Sequence, residues 1–320
     1  MTALQEKLGI RHPFFIAPMF LVSNLDMLKA AFEAGITGAI PALNFRSSGE
    51  LRAAIRTLKS YSKIPFGINL IVNKSNPRLS SQLAVCLEEK VGFIITSLGN
   101  PAHIIAEAHR EGILVFCDVT DLHFAQKVEG LGADAVVAVN SRAGGHSGPY
   151  PEEKLIPLLK SSINIPIISA GGTGRPEDIK QALGLGADLV SVGTLFICTH
   201  ESPVNPAYKN AIIEHGAKDI VHTTRLSGTP CTVINTEYVK ANEGKAGWLE
   251  TLIKKHPRIK KWAKLILAWR GFKELEKAAF KTTYKTVWVA GPSIEYVKRE
   301  RGVKEVVAYL AGEETEKSII

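Results

Sequence analysis

Leu131-Gly132-Ala133-Asp134-Ala135-Val136-Val137-Ala138-Val139-Asn140 recurs further along as Leu185-Gly186-Ala187-Asp188-Leu189-Val190-Ser191-Val192-Gly193-Thr194. In each copy an amphipathic stretch ends, a Gly follows, and a β-branched apolar run begins. Gly just past a helix can take the left-handed conformation without a Cβ clash, so each copy reads as helix end, turn and strand. Outward from these two copies the same phrase runs from Phe14 to Thr194, with Glu33-Ala34-Gly35 and Glu111-Gly112 as further turns. The candidate strands are Phe14–Pro18, Thr37–Pro41, Phe66–Ile71, Val91–Leu98, Ile113–Val119, Ala135–Asn140, Pro166–Gly171 and Leu189–Thr194. Helical patterns cover Asn24–Ala34, Gly49–Ser60, Ala102–Glu111, Asp121–Gly130, Glu152–Ser161 and Pro176–Leu183. Strands this apolar need cover on both faces, which parallel βα units supply. Eight of them predict an α/β fold, a TIM (β/α)8 barrel. The other option, an open doubly wound sheet, is disfavoured because Pro18-Met19-Phe20-Leu21 stands where a glycine-rich dinucleotide fingerprint belongs.

After Thr194 the grammar changes. Ser202–Asn242 reads as irregular, with Pro203, Pro206 and Pro230. Trp248–Ala279 reads as helical, broken into two helices by Pro257. Gly302–Ala311 reads as a last helix. The expected organisation is a barrel over 1–200, a small basic helical cover over the barrel mouth in 201–300, and a C-terminal helix packing on the barrel in 301–320.

The formal charge of +8 belongs to one segment. Lys240–Lys285 holds thirteen Lys/Arg against four Asp/Glu, which leaves 26 basic and 27 acidic residues elsewhere. With 45% hydrophobic and 22% charged residues the balance is that of a globular protein with a large core. Met1–Pro13 is polar and mixed in charge, unlike a signal peptide. The early apolar run Phe14–Val22 contains Pro18 and is far short of the ~20 residues a membrane span needs. Cys86, Cys117, Cys198 and Cys231 show no paired spacing, which argues against a disulfide framework or a zinc site and fits a cytoplasmic protein.

In such barrels function collects in the loops after the strands. Ser169-Ala170-Gly171-Gly172-Thr173-Gly174 follows the seventh candidate strand, and Gly193-Thr194 closes the eighth. Glycines there let backbone N–H groups approach an anion, and the two loops together are in the order a phosphate site requires. The alternative is that they only make tight turns. After the sixth strand, Asn140-Ser141-Arg142-Ala143-Gly144-Gly145-His146-Ser147-Gly148 sets His146 among small residues that admit a planar ring. An imidazole can exchange protons near neutral pH, although most histidines are ordinary surface residues.

These segments, with Ala17-Pro18-Met19 on strand one and Pro65-Phe66-Gly67-Ile68-Asn69 on strand three, closely resemble the nitronate monooxygenase family, whose superfamily includes the FMN-dependent enoyl-acyl-carrier-protein reductases. The resemblance spans roughly residues 8 to 240. It implies that Met19 packs on the flavin ring, that the Asn69 amide bonds the ring's polar edge, and that Gly144 and Gly145 line it. It further implies that Gly171, Gly172, Gly193 and Thr194 hold the FMN phosphate, and that His146 is the catalytic proton-transfer group. Departures fall near the substrate. Arg142 stands where the family usually has an acidic residue, Val139-Asn140 where it often has Gln-Gly, Ser191-Val192 precede Gly193 in place of Gln-Met, and Phe20 follows the first-strand Met in place of a small residue.

The resemblance implies an FMN-dependent oxidoreductase that oxidises alkyl nitronates or similar carbanions with O2. The alternative is an NAD(P)H-dependent FMN reductase of an enoyl thioester, carried by CoA or acyl carrier protein, or of a quinone. A barrel that has lost its flavin is a third reading, disfavoured by the intact loops. The basic run around Lys254–Lys264 is a solvated helix face or a cradle for an anionic CoA or acyl-carrier-protein partner. Peripheral membrane contact stays open, as does a homodimer, and no nucleic-acid motif accompanies the charge.

Overall fold

Each of the eight candidate strands contains a strand in the computed structural model, which describes residues 1–73, 76–223, 231–242 and 287–313. They are β1 (Phe14–Ile16), β2 (Ala39–Pro41), β3 (Gly67–Ile71), β4 (Phe93–Ser97), β5 (Leu114–Val119), β6 (Ala135–Val139), β8 (Ile167–Ala170) and β9 (Leu189–Val192). All pair in parallel, in the order β1-β9-β8-β6-β5-β4-β3-β2. The ends of this order meet through one bridge: Ile16 pairs with Gly38, and the Ile16 N–H donates to the Thr37 carbonyl at 3.0 Å. The strands therefore wrap into a TIM barrel.

Helices fill the connections: α2 (Leu25–Glu33), α3 (Ser48–Tyr61), α4 (Leu79–Glu88), α5 (Ala102–Arg110), α6 (Leu122–Gly130), α7 (Glu152–Lys160) and α8 (Pro176–Gly184). The repeated turn behaves as its sequence demands, with Gly132 at φ 88° and Gly186 at φ 110°. Two helices before β9 were not expected. In α4 no side chain caps the N-terminus, so the usual start signal is missing. The six-residue α1 (Ala3–Leu8) is half polar, but Thr2 caps it and Leu4 and Leu8 plug the bottom of the barrel.

Parallel strands alternate their side chains between interior and helix layer. Phe15, Phe93, Ile95, Phe116, Val137, Ile168 and Leu189 fill the interior, while Ile94, Val115, Val136 and Val190 meet the helices. The Phe93 and Phe116 rings stack at 4.8 Å between centroids. Nearer the C-terminal ends of the strands the inward positions become polar or small: Asn69, Ser97, Asp118, Ala170 and Ser191. The rings close the lower half, and the upper half opens as a cavity.

The irregular reading of 202–242 is corrected. After the short α9 (Thr194–Ile197) come α10 (Pro206–Glu214), β10 (Ile220–Thr223), β11 (Cys231–Ile234) and α11 (Glu237–Asn242). With β7 (Gly145–His146), β10 and β11 form a three-stranded antiparallel sheet in the order β10-β11-β7. Strands this short need a partner from elsewhere, and β7 lies far away in sequence. The helices expected over Trp248–Ala279 and their break at Pro257 lie outside the described residues, as does most of the basic run. The expected tail helix is α12 (Val303–Leu310), which packs against α2, α8 and α9. Among the described residues, no helix is long and apolar enough to cross a membrane.

The interior is filled around an absence at Gly67, where a Cβ would lie 2.2 Å from the Phe93 ring. Gly67→Ala should therefore overpack the barrel and destabilise it by about 1–3 kcal/mol. Urea unfolding checks this as a lowered midpoint at constant slope. Gly130→Ala, whose added Cβ meets nothing within 4 Å, is the control and should not lower it.

Candidate active site

A cavity of about 550 Å³ sits on the C-terminal ends of the strands. All nine residues singled out from the sequence border it: Met19, Asn69, Gly144, Gly145, His146, Gly171, Gly172, Gly193 and Thr194.

The loop after β8 is shaped from below by α8. Pro176 starts that helix, and Asp178 Oδ2 accepts from the Gly174 and Arg175 N–H groups at 2.9 Å each. The chain thus turns sharply, and Gly172 takes φ 84°. Opposite, Gly193 precedes α9, and Thr194 Oγ1 accepts from the Gly291 N–H at 3.0 Å, which leaves its own O–H to donate. The N–H groups of Gly172, Thr173, Gly193 and Thr194 donate to no group among the described residues. Buried backbone donors are nearly always satisfied. Four unspent donors around two glycines fit a bound phosphate or similar anion.

The loop after β6 is clamped to this cradle. Asn140 is fully buried; its Nδ2 donates to the Gly171 carbonyl at 2.9 Å, and its Oδ1 accepts from the Arg142 N–H at 2.8 Å. Beyond it the chain becomes β7, where His146 pairs with Cys231 and Gly145 with Thr232. The buried Thr232 hydroxyl donates to the Ala143 carbonyl at 2.7 Å and accepts from the Gly145 N–H at 2.9 Å. His146 was read as a loop residue; it stands on a strand, which fixes its backbone. Its side chain is exposed on the cavity lining, yet the surrounding protein desolvates it enough to hold its pKa below the usual imidazole value. Arg142 lies across Gly172, its Nε 2.9 Å from where a Cβ on that glycine would be.

Three residues of the site were not singled out from the sequence: Asn140, named only as a departure, and the pair Ser97 and Asp118. Asn69 Nδ2 donates to Ser97 Oγ at 2.7 Å and to the Ile95 carbonyl at 3.2 Å, and Ser97 Oγ donates to Asp118 Oδ2 at 2.5 Å. Burial raises the Asp118 pKa to about 6 against the opposing Ser97 hydrogen bond. The available signal was Asp118 itself, a lone charge at an inward position of the apolar run Leu114–Val119.

Residues 77–313 match the sequence model of the nitronate monooxygenase family. The (3aS,4S,5R,7aS)-5-hydroxy-7a-methyl-1-oxo-octahydro-1H-indene-4-carboxyl-CoA dehydrogenase of Mycobacterium tuberculosis is 31% identical over 245 residues, 76% of this chain and 68% of that protein. A nitronate monooxygenase of Pseudomonas aeruginosa is 30% identical over 267 residues, 69% of this chain and 76% of that protein. FabK from Thermotoga maritima superposes with a TM-score of 0.85 at 29% identity, over 99% of this chain and 97% of that one.

Gly172 is a poor place to probe the cradle, because its positive φ and the Arg142 side chain penalise any Cβ on their own. Gly193 is a better one. A Cβ there makes no contact closer than the 3.5 Å to Ala17 Cβ and Met19 Sδ, and its φ is −113°. Gly193→Val should fold normally yet purify with much less bound flavin. Full occupancy, read from the ratio of flavin to protein absorbance, would show that the cradle does not hold the cofactor.

Proposed function

This chain belongs to the nitronate monooxygenase family, and from that premise we propose that it is an FMN-dependent oxidoreductase acting on alkyl nitronates or similar carbanions with O2. The observation that carries this reading is one cavity that combines four unspent backbone donors with a desolvated imidazole. The donors of Gly172, Thr173, Gly193 and Thr194 would take the phosphate. Asn69 would orient the polar edge of the ring, with Met19, Gly144 and Gly145 shaping a flat slot around it. Bound there, FMN would supply the electron acceptor and the site of reaction with oxygen. His146 takes the α-proton of a neutral nitroalkane at its unprotonated ring nitrogen. A nitronate, already ionised, makes no such demand.

A second reading is reduction of an enoyl thioester of CoA or acyl carrier protein by NAD(P)H. Two observations favour it. The cavity wall carries exposed apolar side chains, Leu98 at 43% and Phe124 at 48%, with Lys127 also on the lining. One close relative is named for a CoA thioester, and FabK matches nearly the whole chain. Anaerobic mixing of the flavoprotein with NADH, NADPH and a nitronate in turn separates the readings. Bleaching by a pyridine nucleotide with no turnover of nitronate would reject the first and install the second.

Flavin released by heat should have the mass of FMN; FAD would contradict the single phosphate cradle. His146→Ala should lower kcat/KM for a neutral nitroalkane by about 10²-fold or more, and for the nitronate much less. Because desolvation lowers the His146 pKa, its neutral, basic form persists at pH values where an ordinary imidazole, with pKa about 6.5, is protonated. The acid limb of kcat/KM for nitroalkane should therefore lie below pH ~6.5, and the nitronate profile should lack it.

A further inference from the structure

Asp118 is the sole carboxylate bordering the cavity among the described residues, and the proton-transfer role given to His146 makes no use of it. It sits at an inward position on β5. Ser97 on β4 and Asn69 on β3 share its side of the barrel, and the three are joined in series by hydrogen bonds of 2.7 and 2.5 Å. The direction of the chain is determined: the Ile95 carbonyl can only accept, so the Asn69 amide must turn Nδ2 toward it and toward Ser97. Ser97, receiving from Asn69, spends its proton on Asp118. Asp118 thus stands two hydrogen bonds from the Asn69 amide on the same cavity wall. A planar ring whose polar edge reaches Asn69 therefore comes close to the Asp118 carboxyl.

We propose that Asp118 sets the charge beneath the polar edge of the flavin ring, holding Asn69 in register through Ser97 and opposing the negative charge the ring gains on reduction. The inference rests on the FMN reading. Two electrons and one proton leave the ring with one added negative charge; a second proton removes it. An ionised Asp118 disfavours the charged product, whereas a protonated one does not. The other groups on the cavity lining that can carry charge are His146 on β7 and Lys127 on α6. Cys117, Cys231 and Tyr208 border it too, but burial raises their pKa values and keeps them neutral. Burial also raises Asp118 to about 6, so its charge changes within an accessible pH range.

The test is the reduction potential of the bound flavin, equilibrated with a reference dye from pH 5.5 to 8.5, in the unaltered protein, Asp118→Asn and Ser97→Ala. At pH 8, Asp118→Asn should favour reduction by tenfold or more, a rise of about 30 mV for a two-electron couple. The difference should vanish as the pH falls and the native carboxyl becomes protonated. Ser97→Ala removes the hydrogen bond that favours the charged carboxylate, so the bend in potential against pH should move upward, and FMN should bind several-fold more weakly as Asn69 loosens. Ser97→Ala also tests the idea should Asp118→Asn fail to fold. Unchanged potentials in either variant, or a pH-independent shift, would overturn the role of Asp118, as would a changed kcat/KM at constant potential, which places the carboxyl against substrate. An unaltered protein that takes up no FMN would overturn the cofactor reading itself.

Discussion

The active-site half of the barrel hangs on the buried amide of Asn140. Its side chain bonds the Gly171 carbonyl and the Arg142 N–H, while its backbone N–H donates to Ala170 and its carbonyl accepts from Gly148. One residue thereby locks the end of β6 to the loop after β8. Gly171 has no room for a Cβ, which would come within 2.5 Å of Asn140 Oδ1. Any buried polar group left unpaired here would cost about 1–3 kcal/mol, so the two loops hold their positions as a unit. The glycine loop after β8 and the segment leading to His146 are consequently one hydrogen-bonded construction.

That construction sits on a division of labour inside the barrel. Parallel strands give every second residue to the interior, and the lower inward positions are spent on aromatic and branched side chains. The upper ones are Asn69, Ser97, Asp118, Ala170 and Ser191, too small or too polar to close the space. A cavity at the strand C-termini follows from this change of side-chain size. The β10-β11-β7 sheet then covers one side of it and fixes His146 by main-chain pairing.

Backbone donors around two glycines and an imidazole on one cavity would suit several reactions equally well, because holding an anion and moving a proton are common to many. Relatives at nearly the same identity carry the names of a nitronate monooxygenase and a CoA-thioester dehydrogenase. Selectivity between such substrates must come from the remaining walls. In this chain those walls bear Leu98 and Phe124, with Phe20 near Met19.

By itself the sequence determined the barrel, through eight apolar runs and their Gly-closed turns, because helix and strand periodicity and turn chemistry are local. It also showed the glycines, Thr194 and His146 of the cavity, since such residues at strand ends are legible wherever the strands are, whereas Met19 and Asn69 came only from the resemblance to the family. It did not reveal α1, whose helix is too short and polar to show a period, nor the β10-β11 pair, whose partner β7 is distant in the chain. Tertiary structure alone decided that Arg142 lies across Gly172, that Asn140 is the clamp, and that Asn69, Ser97 and Asp118 form one hydrogen-bonded series. The physical reason is that these relations join neighbouring strands across the barrel. Residues that are adjacent there stand roughly twenty to thirty positions apart in the chain, the length of one βα unit, and no local pattern records which of them will touch.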